Sequence, residues 1–591
     1  NDREEYTDRY FVSSDELYTE SAVNESTNVN HRFNGRIEYE LNENNSFRWR
    51  PSLSWQQNDG SSDLFGRNML LDSLLSSTSN QFGAQLNALD FSNNLLWRHR
   101  FSVERRTLSV NVRTGFAPQN GDNSLLATNT YEGSVTETET LDQIAGLDRN
   151  SWNGSVDISY TEPVGEYGML MFSSETSYQE EDSDLSTYDF NPGTTDYDLI
   201  NAPLSNVFAS DYLEQGLEVG YNYRQRSLFF MLRLTGQYSE LINDQTYPVA
   251  ANVERSFKNL LPMAMLRFGT SRTNSVFVRY RASTDLPSLT QLQEVINNTN
   301  PLQLSVGNPG LNQALEHSMM ARYNKTNTEK GTIVFAFLRA TVTQGYIANS
   351  SYLPGSEAPI RTQYNVSQAA QLSRPVNLDG YWNLRGLVTY GFPLFQRALN
   401  LNVDLSYGYT NTPSLINDVQ NEARNTTGGL GLTLSSSFSD RFEFTIGSRS
   451  NLNEVTNTLP TSGNSRFFSQ DSRVGFNWIG PAGITLRSDL THQYYDGLGE
   501  GFDPAFWLWN ASLGKKLFKD QRGEIAVVVF DLLKENQSLS RNVTEIYFED
   551  SRTNALQQYF MLRFTYDVRN FGTPPQREER PDFGPPGGRH W

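Results

Sequence analysis

The chain contains no cysteine among its 591 residues, which excludes disulfide frameworks, thiolate metal sites and cysteine nucleophiles. Long hydrophobic runs are also absent: no run exceeds six residues, as in Ile525 to Phe530, whereas a membrane-spanning helix needs about 20. Lysine is scarce, with seven lysines beside 41 arginines, and the 67 acidic residues bring the net charge to −19. The short apolar runs exclude a helical membrane protein. Because phosphate binding requires a basic surface, the acidic net charge excludes a nucleic-acid binder.

Aromatic residues, in contrast, are abundant for so polar a chain, with 9 Trp, 29 Tyr and 35 Phe. Their arrangement explains this combination, because apolar and polar residues alternate strictly over long segments. From Leu399 to Thr410, the apolar positions are Leu399, Leu401, Val403, Leu405, Tyr407 and Tyr409, and the positions between them are polar or glycine. Residues 556–568 repeat the pattern. A period of two predicts strands with one apolar and one polar face, and therefore an all-β protein.

The connections between the alternating segments fall into two length classes. Short polar turns are predicted at residues 42–45, 104–106, 164–168, 225–226, 439–441 and 480–483, and long polar loops at residues 58–86, 119–148, 180–210 and 411–425. Short turns at one end and long loops at the other are typical of outer-membrane barrels. Residues 1–571 are therefore predicted to form a transmembrane antiparallel β-barrel of about 22 strands, with short periplasmic turns and long extracellular loops.

Two further features fit a barrel in a membrane. Tryptophans near predicted strand ends suit the aromatic girdles at the membrane interfaces: Trp49, Trp55, Trp97, Trp152, Trp382, Trp478, Trp507 and Trp509. Residues 572–591 contain five prolines and four glycines, which predicts a flexible Pro/Gly/Arg-rich tail in the periplasm. A barrel of this size normally holds a plug, and we expect that plug to be upstream in a precursor, cleaved, or supplied by another chain.

A set of motifs in the middle of the chain resembles a segment typical of TonB-dependent receptor barrels. The matching residues, in order, are Pro287, Leu292, Asn300, Pro301, Gly307, Asn308, Pro309 and Leu311. Residues 50–55, 93–101, 529–541 and 554–572 resemble Bacteroidota-type members of this family. The likeness runs from about Tyr10 to Gly572. The family's plug, its TonB box and its carboxypeptidase-regulatory-like domain have no counterpart in these residues.

The resemblance implies a receptor-like barrel in the outer membrane of a Gram-negative bacterium, importing a bulky nutrient or peptide past a plug driven from the periplasm. The implied partners are outer-membrane lipids and lipopolysaccharide, the plug, TonB, and a surface lipoprotein or other outer-membrane subunits. The substrate and its binding residues stay unassigned. The alternative is a non-transporting barrel that serves as a subunit or scaffold of an outer-membrane assembly or secretion complex.

The run Gly307-Asn308-Pro309 is expected to set the conformation of the backbone. Glycine permits positive φ, asparagine tolerates it, and proline fixes φ while withholding a backbone donor. We therefore expect the run to end a loop and begin a strand rather than to contact a ligand.

Neither catalysis nor a metal site is predicted. The five histidines, His31, His99, His317, His492 and His590, form no metal-binding spacing. His492 with Asp489 and Tyr494 is the one local cluster that an enzyme at the barrel rim would use, and no nucleophile motif accompanies it. An outer-membrane enzyme is therefore the least favoured of the three functions.

Charged residues are interpreted in the same way. Acidic groups at residues 180–184 and at Asp59, Asp63 and Asp72 lack the spacing of a calcium loop, so no cofactor is expected, although calcium bound by loops stays open. Arg113, Arg487 and Arg563 lie on polar strand faces, where we expect internal ion pairs.

Overall fold

The computed structural model is almost entirely β-structure. It describes residues 2–11, 16–71, 73–132, 136–248, 250–271, 273–298, 300, 302–367, 370–436, 439, 441–459, 464–499, 504–518, 521–543, 547–554 and 557–566. The predicted tail, residues 572–591, lies outside this part of the chain.

The strands of the first half are β1 (Asp2–Phe11), β2 (Glu16–Asn34), β3 (Ile37–Asn42), β4 (Asn45–Leu70), β5 (Ser73–Arg100), β6 (Thr107–Phe116), β7 (Gln119–Tyr131), β8 (Glu137–Val164), β9 (Gly168–Asn191), β10 (Asp196–Ile200), β11 (Asn206–Arg224), β12 (Leu228–Tyr247), β13 (Ala251–Ser271) and β14 (Asn274–Asp285). Three-residue 3₁₀ turns lie at Ala202–Leu204, Phe395–Arg397 and Pro481–Gly483.

The second half contains α1 (Leu289–Leu292), β15 (Ile296–Asn297), β16 (Gln303–Val306), β17 (Ala314–Asn327), β18 (Thr332–Gln344), β19 (Tyr346–Tyr352), α2 (Pro359–Gln363), β20 (Gln371–Leu378), β21 (Tyr381–Leu394), β22 (Leu399–Ile416), β23 (Val419–Ser436), β24 (Phe442–Asn457), β25 (Ser465–Ile479), β26 (Ile484–Asp496), β27 (Ala505–Leu517), β28 (Gly523–Phe530), β29 (Gln537–Val543), β30 (Tyr547–Asn554) and β31 (Tyr559–Tyr566). Within the described ranges, α1 and α2 have four and five residues, and no helix is long and apolar enough to cross a membrane.

All strands belong to one sheet, whose wall is built from antiparallel neighbours. β1 closes the ring, because it pairs with β2 along one edge and with β30 along the other. Several wall strands are interrupted: β2 and β3 both pair with β4, and β6 and β7 both pair with β5 and β8. The all-β barrel is confirmed, and the number of about 22 wall strands stays a prediction.

The alternation seen in the sequence separates the two faces of the wall. In β22, Leu405 and Tyr407 are 55% and 49% exposed on the outer, apolar face. Asp404 lies on the opposite face, where its carboxylate accepts a hydrogen bond from the Thr389 hydroxyl of β21. Because neighbouring strands are in register, outward leucines and valines join into a continuous belt.

Four stretches predicted as long loops are instead mostly strand. Residues 58–70 and 73–86 form the upper halves of β4 and β5, and residues 119–131 and 137–148 form β7 and part of β8. Residues 180–210 and 411–425 also continue wall strands. In these extensions polar and apolar residues are mixed on both faces, so the strict alternation is lost although the backbone pairing continues. The long connections lie elsewhere, at residues 286–313 and 345–380.

Exposed tryptophans lie at two heights on the outer face. Trp49 and Trp478 lie within four residues of a short turn, and Trp152, Trp382 and Trp507 lie ten to twelve residues from the turn end of their strands. With the rise and tilt of barrel strands, these heights differ by about 20–25 Å, close to the height of the apolar band of an outer-membrane barrel. This agrees with the two predicted girdles.

The outer face of β22 gives a test of the membrane-facing assignment. We expect Leu405→Arg to lower the free energy of unfolding by about 2–4 kcal/mol, because the guanidinium would enter the middle of the apolar belt. Ser406→Arg, one residue along and on the lumen face, is the matched control and should cost far less. Denaturant unfolding of the protein in lipid vesicles measures both, and equal losses would contradict the assignment.

Candidate functional site

The two long connections fold together into what we call the inserted layer, residues 286–313 and 345–380. The first contains α1, β15 and β16, and the second contains β19, α2 and β20. β16 pairs in parallel with β20, β20 pairs with β19, and β19 meets the wall at β22. The layer is therefore a small sheet attached to the barrel wall.

Hydrophobic contacts place this layer across the barrel mouth. Leu302 and Leu353 of the layer are buried in one cluster with Phe11 and Tyr18 of β1 and β2, and with Ile416 of β22. These wall strands are far apart along the ring, so side chains reaching all of them must cross the lumen. Residues 286–313 and 345–380 thus narrow the opening at the end opposite the short turns.

The motif residues recognised in the sequence form much of this layer. Leu292 and Leu311 are buried against Leu241 of β12. The Asn300 side-chain amide donates to the Tyr18 hydroxyl (2.9 Å), and its oxygen accepts from the Leu302 amide (3.1 Å). Pro287 is buried and Pro309 half-buried. Pro301 lies outside the described residues.

Gly307 and Asn308 are needed for a different reason from the one predicted. Neither residue has a positive φ. A Cβ at Gly307 would lie 2.0 Å from the Gln293 carbonyl oxygen, so close packing of two backbone segments requires the glycine. The Asn308 side chain joins the two connections: its amide donates to the Pro375 carbonyl (2.9 Å), and its oxygen accepts from the Gly310 amide (2.9 Å). The expected structural role remains a prediction, with a new physical basis.

Arg361 of α2 holds the second connection together. Its guanidinium is buried and donates to the carbonyl oxygens of Tyr352, Leu353, Ala370 and Ser367 at 2.6–3.2 Å. Burial lowers the pKa of this arginine, and the charge of Glu16 opposes the shift. Four carbonyl groups around one cation fix the path of the backbone on both sides of α2.

A second polar contact links the two connections. The Tyr364 hydroxyl donates to the Glu294 carboxylate, and Arg374 lies 3.8 Å from the same carboxylate. Burial, followed by the hydrogen bond to Glu294, raises the pKa of Tyr364. Sequence reasoning missed Arg361, Glu294 and Tyr364, because each acts through partners 6 to 80 residues away and no local motif marks it.

Between the layer and the wall lies a recess of about 610 Å³. Its 23 lining residues include no ionisable side chain. They do include seven side-chain amides, at Asn123, Gln143, Gln291, Gln293, Asn297, Asn298 and Asn349. The Asn298 amide donates to the Gln143 oxygen (3.0 Å), whereas the buried Gln293 nitrogen has no partner among the described residues. This surface can both donate and accept hydrogen bonds, and it carries no charged side chain that would bind an ion.

The other candidate residues stay apart from this site. His31 stacks on Trp55, and the His492 ring packs at a tilt against Trp507. His99 and His317 form hydrogen bonds with Asn45 and Tyr280. Asp489 and His492 point to opposite faces of β26, and Asp489 pairs with Arg473 (2.5 Å). His590 lies outside the described residues.

Charged wall residues form cross-strand pairs. Arg113 pairs with Glu175 (2.6 Å) and Arg487 with Glu524 (2.7 Å), as predicted. Arg563 lines a second recess beside Arg487. In the predicted acidic group at residues 180–184, Glu181 pairs with Arg149 (2.6 Å). In the described part of the chain, no three His, Cys, Asp or Glu side chains come together as a metal site would require, and Asp72 lies outside that part.

The packing at Gly307 gives a test of how the layer is held. We expect Gly307→Ala to release residues 286–313, because the new methyl group would overlap the Gln293 carbonyl. Limited proteolysis should then cut this connection faster. Gly428→Ala in the wall is the control, since nothing lies within 4 Å of its added carbon. Unchanged cleavage in Gly307→Ala would show that the close approach is not needed.

The carbonyl cage of Arg361 gives a second test. We expect Arg361→Lys to destabilise residues 345–380 by about 1.5–3 kcal/mol. The planar guanidinium of arginine binds four carbonyl oxygens at once, and the ammonium group of lysine cannot reach all four. Amide hydrogen exchange should rise in β19 and β20 and stay the same in β22 and β23. A uniform rise over the whole wall would instead show that the arginine supports global folding.

The chain is similar to the siderophore receptor PirA from Pseudomonas aeruginosa (12% identity, 94% of this chain and 79% of that chain covered, TM-score 0.33). It is similar also to the ferric yersiniabactin uptake receptor FyuA from Yersinia pestis (9%, 95% and 80%, 0.36) and to the ferric enterobactin receptor PfeA from P. aeruginosa (10%, 94% and 81%, 0.39). No curated protein matches the sequence.

A family model supplies the assignment. The model described as the outer membrane protein beta-barrel family matches residues 99–566, which include β6 to β31 and the whole inserted layer. The predicted barrel class and the predicted location in a Gram-negative outer membrane are confirmed. This chain belongs to the outer membrane protein beta-barrel family.

Proposed function

We propose that this chain is the barrel of a TonB-dependent importer, in which the inserted layer gates the passage of a bulky, polar nutrient or peptide. The observation that carries the proposal is the layer itself. It crosses the mouth of the barrel and touches β1, β2, β12 and β22, so a solute entering from outside meets it first. A barrel that only displays or anchors subunits has no need of such a layer.

The junction between the layer and the wall supports a movable element. β19 pairs with β22 over two residues, Ser350 with Leu415 and Ser351 with Ile416. Three further hydrogen bonds join Ser351, Tyr352 and Leu353 to Asn417 and Asp418. The hydroxyls of Ser351 and Ser414 are buried there without a hydrogen-bond partner among the described residues. Burial of a polar group without a hydrogen-bond partner costs about 1–3 kcal/mol of stability. Opening of the junction removes this cost, because water then binds the exposed hydroxyl. This junction is therefore much shorter than the ladder between two wall strands, and its separation breaks fewer hydrogen bonds.

The recess supports the polar character of the substrate. Its amide side chains match the hydroxyl groups of a sugar or the backbone of a peptide, both of which donate and accept hydrogen bonds. The lack of ionisable lining residues favours an uncharged part of the solute at this position.

Energy coupling and partners belong to the same proposal. The resemblance of residues 287–311 to TonB-dependent receptor barrels supports a plug, TonB and a surface lipoprotein as partners, with outer-membrane lipids and lipopolysaccharide around the wall. Native purification followed by identification of the bound chains tests this set. Stoichiometric assembly subunits without a plug or TonB contact would favour the scaffold alternative.

A disulfide across the junction tests gating directly. Ser350→Cys with Leu415→Cys joins two residues that face each other in the β19–β22 ladder, within the reach of a disulfide. The chain has no other cysteine, so the bond is unambiguous. We expect the oxidised protein in liposomes to admit the neutral tetrasaccharide stachyose more slowly than the reduced protein.

The control pair is Thr410→Cys with Asn425→Cys, which joins two wall strands, β22 and β23. Oxidation of this pair should leave stachyose entry unchanged. Equal entry into oxidised and reduced Ser350/Leu415 protein would contradict a gating role of the layer.

A further inference from the structure

Six arginines lie on the lumen face of five neighbouring wall strands, β13, β14, β17, β18 and β21. Leu266, Val276 and Leu338, which have the opposite phase along these strands, are exposed on the outer apolar face. The arginines therefore point into the lumen. We call this sector of the wall the arginine patch. Its members are Arg267, Arg279, Arg281, Arg322, Arg339 and Arg385.

The positive charge of the patch is barely compensated. Arg339 lies 4.0 Å from Glu316, and Arg322 lies over the Phe277 ring at 5.7 Å. The side chains of the other four arginines have no hydrogen-bond or ion-pair partner among the described residues. Arg339 and Arg385 face each other directly in the β18–β21 ladder, where like charges destabilise a sheet. Six positive charges thus have one carboxylate within ion-pair distance, in a chain with a net charge of −19.

Methionine and phenylalanine fill the spaces between the arginines. Each of them lies opposite at least one arginine in the strand ladders: Met263, Met265, Met320, Phe277 and Phe337. Arginine, methionine and aromatic residues are enriched in protein–protein interfaces, and methionine adapts its shape to the surface that covers it. A lumen wall that meets only water gains nothing from these apolar side chains. The composition therefore indicates a polypeptide partner.

The patch lies at the depth of the membrane, below the inserted layer. Arg385 lies three residues from Trp382 of the upper girdle, towards the short turn, and Arg267 lies four residues from the end of β13 at Ser271. The layer contacts the wall higher up, at Leu241 and Ile416. A partner bound to the patch therefore sits inside the lumen, between the layer and the short turns.

The extent of the patch favours a protein partner over a small anion. Five adjacent strands span about 19 Å along the wall, and the arginines are spread over that whole width. The two recesses described above are lined by other residues, so the arginines do not converge on a pocket of ion size. The uncharged lining of the recess below the layer also favours an uncharged solute, which leaves the arginines without a role in binding it.

We propose that the arginine patch docks the acidic face of a polypeptide seated in the lumen, with carboxylates between the arginines and apolar side chains against the methionines. The proposal rests on the proposed function, which places a plug in this lumen, and it adds the charge of the contacting face and the sector of wall that it contacts. Carboxylates in this position relieve the repulsion between Arg339 and Arg385 and accept charge-assisted hydrogen bonds from both.

Binding of an oligoglutamate of about ten residues to the chain in lipid nanodiscs tests the patch. We expect this peptide to bind, and to lose affinity as salt rises from about 50 mM to about 500 mM, because ions screen the arginines. Arg279→Gln with Arg385→Gln should weaken binding about tenfold. Arg279→Lys with Arg385→Lys should weaken it less, since the charge is kept. Both pairs of substitutions leave the wall folded, because neither residue holds a partner in the described part of the chain.

Arg113→Gln with Arg473→Gln is the matched control. Both arginines face the lumen, and each lies at least four strands, or about 19 Å along the wall, from the nearest strand of the patch. This distance exceeds the screening length of about 8 Å, so the affinity should change less than about twofold. Equal weakening by the control pair would show that the patch is not the binding surface.

Three other outcomes would overturn the proposal. They are absence of oligoglutamate binding, equal binding of oligoglutamine, and displacement of the peptide by an equal concentration of citrate, which would assign the patch to a small anionic solute. Stachyose entry past the inserted layer is measured separately. Failure of the patch to bind acidic peptide is therefore distinguishable from failure of the gating function.

Discussion

The backbone's need for hydrogen-bond partners in a medium without water governs this structure. Most wall strands pair with a neighbour on each side, and β1 joins β2 to β30, so the sheet closes into a ring to which the local features adapt. Interrupted strands such as β2 with β3, or β6 with β7, still share common partners, so an irregularity in one strand does not open the wall. Side chains decide which face meets lipid, but pairing decides where a strand can exist.

This order of constraints explains what could be predicted from the sequence. Where one face meets lipid, alternation as in residues 399–410 reveals a strand, and six short turns between such segments follow. Above the membrane both faces are wet, so residues 58–86 and 119–148 carry no periodic signal although they are paired. Pairing is a property of two strands together and leaves little trace in either one.

The inserted layer shows the same limit at the level of single residues. Gly307 was recognisable as a residue with a conformational role, but the Gln293 carbonyl that excludes a side chain there lies in another turn of the loop. Arg361 resembles any other arginine in the sequence, and only folding surrounds it with four carbonyl groups. Amides collect in the recess from β7, β8 and both connections, so its uncharged character is a product of topology.

The extended hairpins beyond the membrane have a consequence for molecular capture. β4 and β5 contain 26 and 28 residues, whereas a strand needs about 9–11 to cross the bilayer. More than half of each strand therefore stands outside as a hydrogen-bonded ribbon. Such a ribbon is already ordered before an encounter, so gripping a solute forfeits little chain entropy. The hairpins therefore present an ordered, hydrogen-bonded surface outside the membrane.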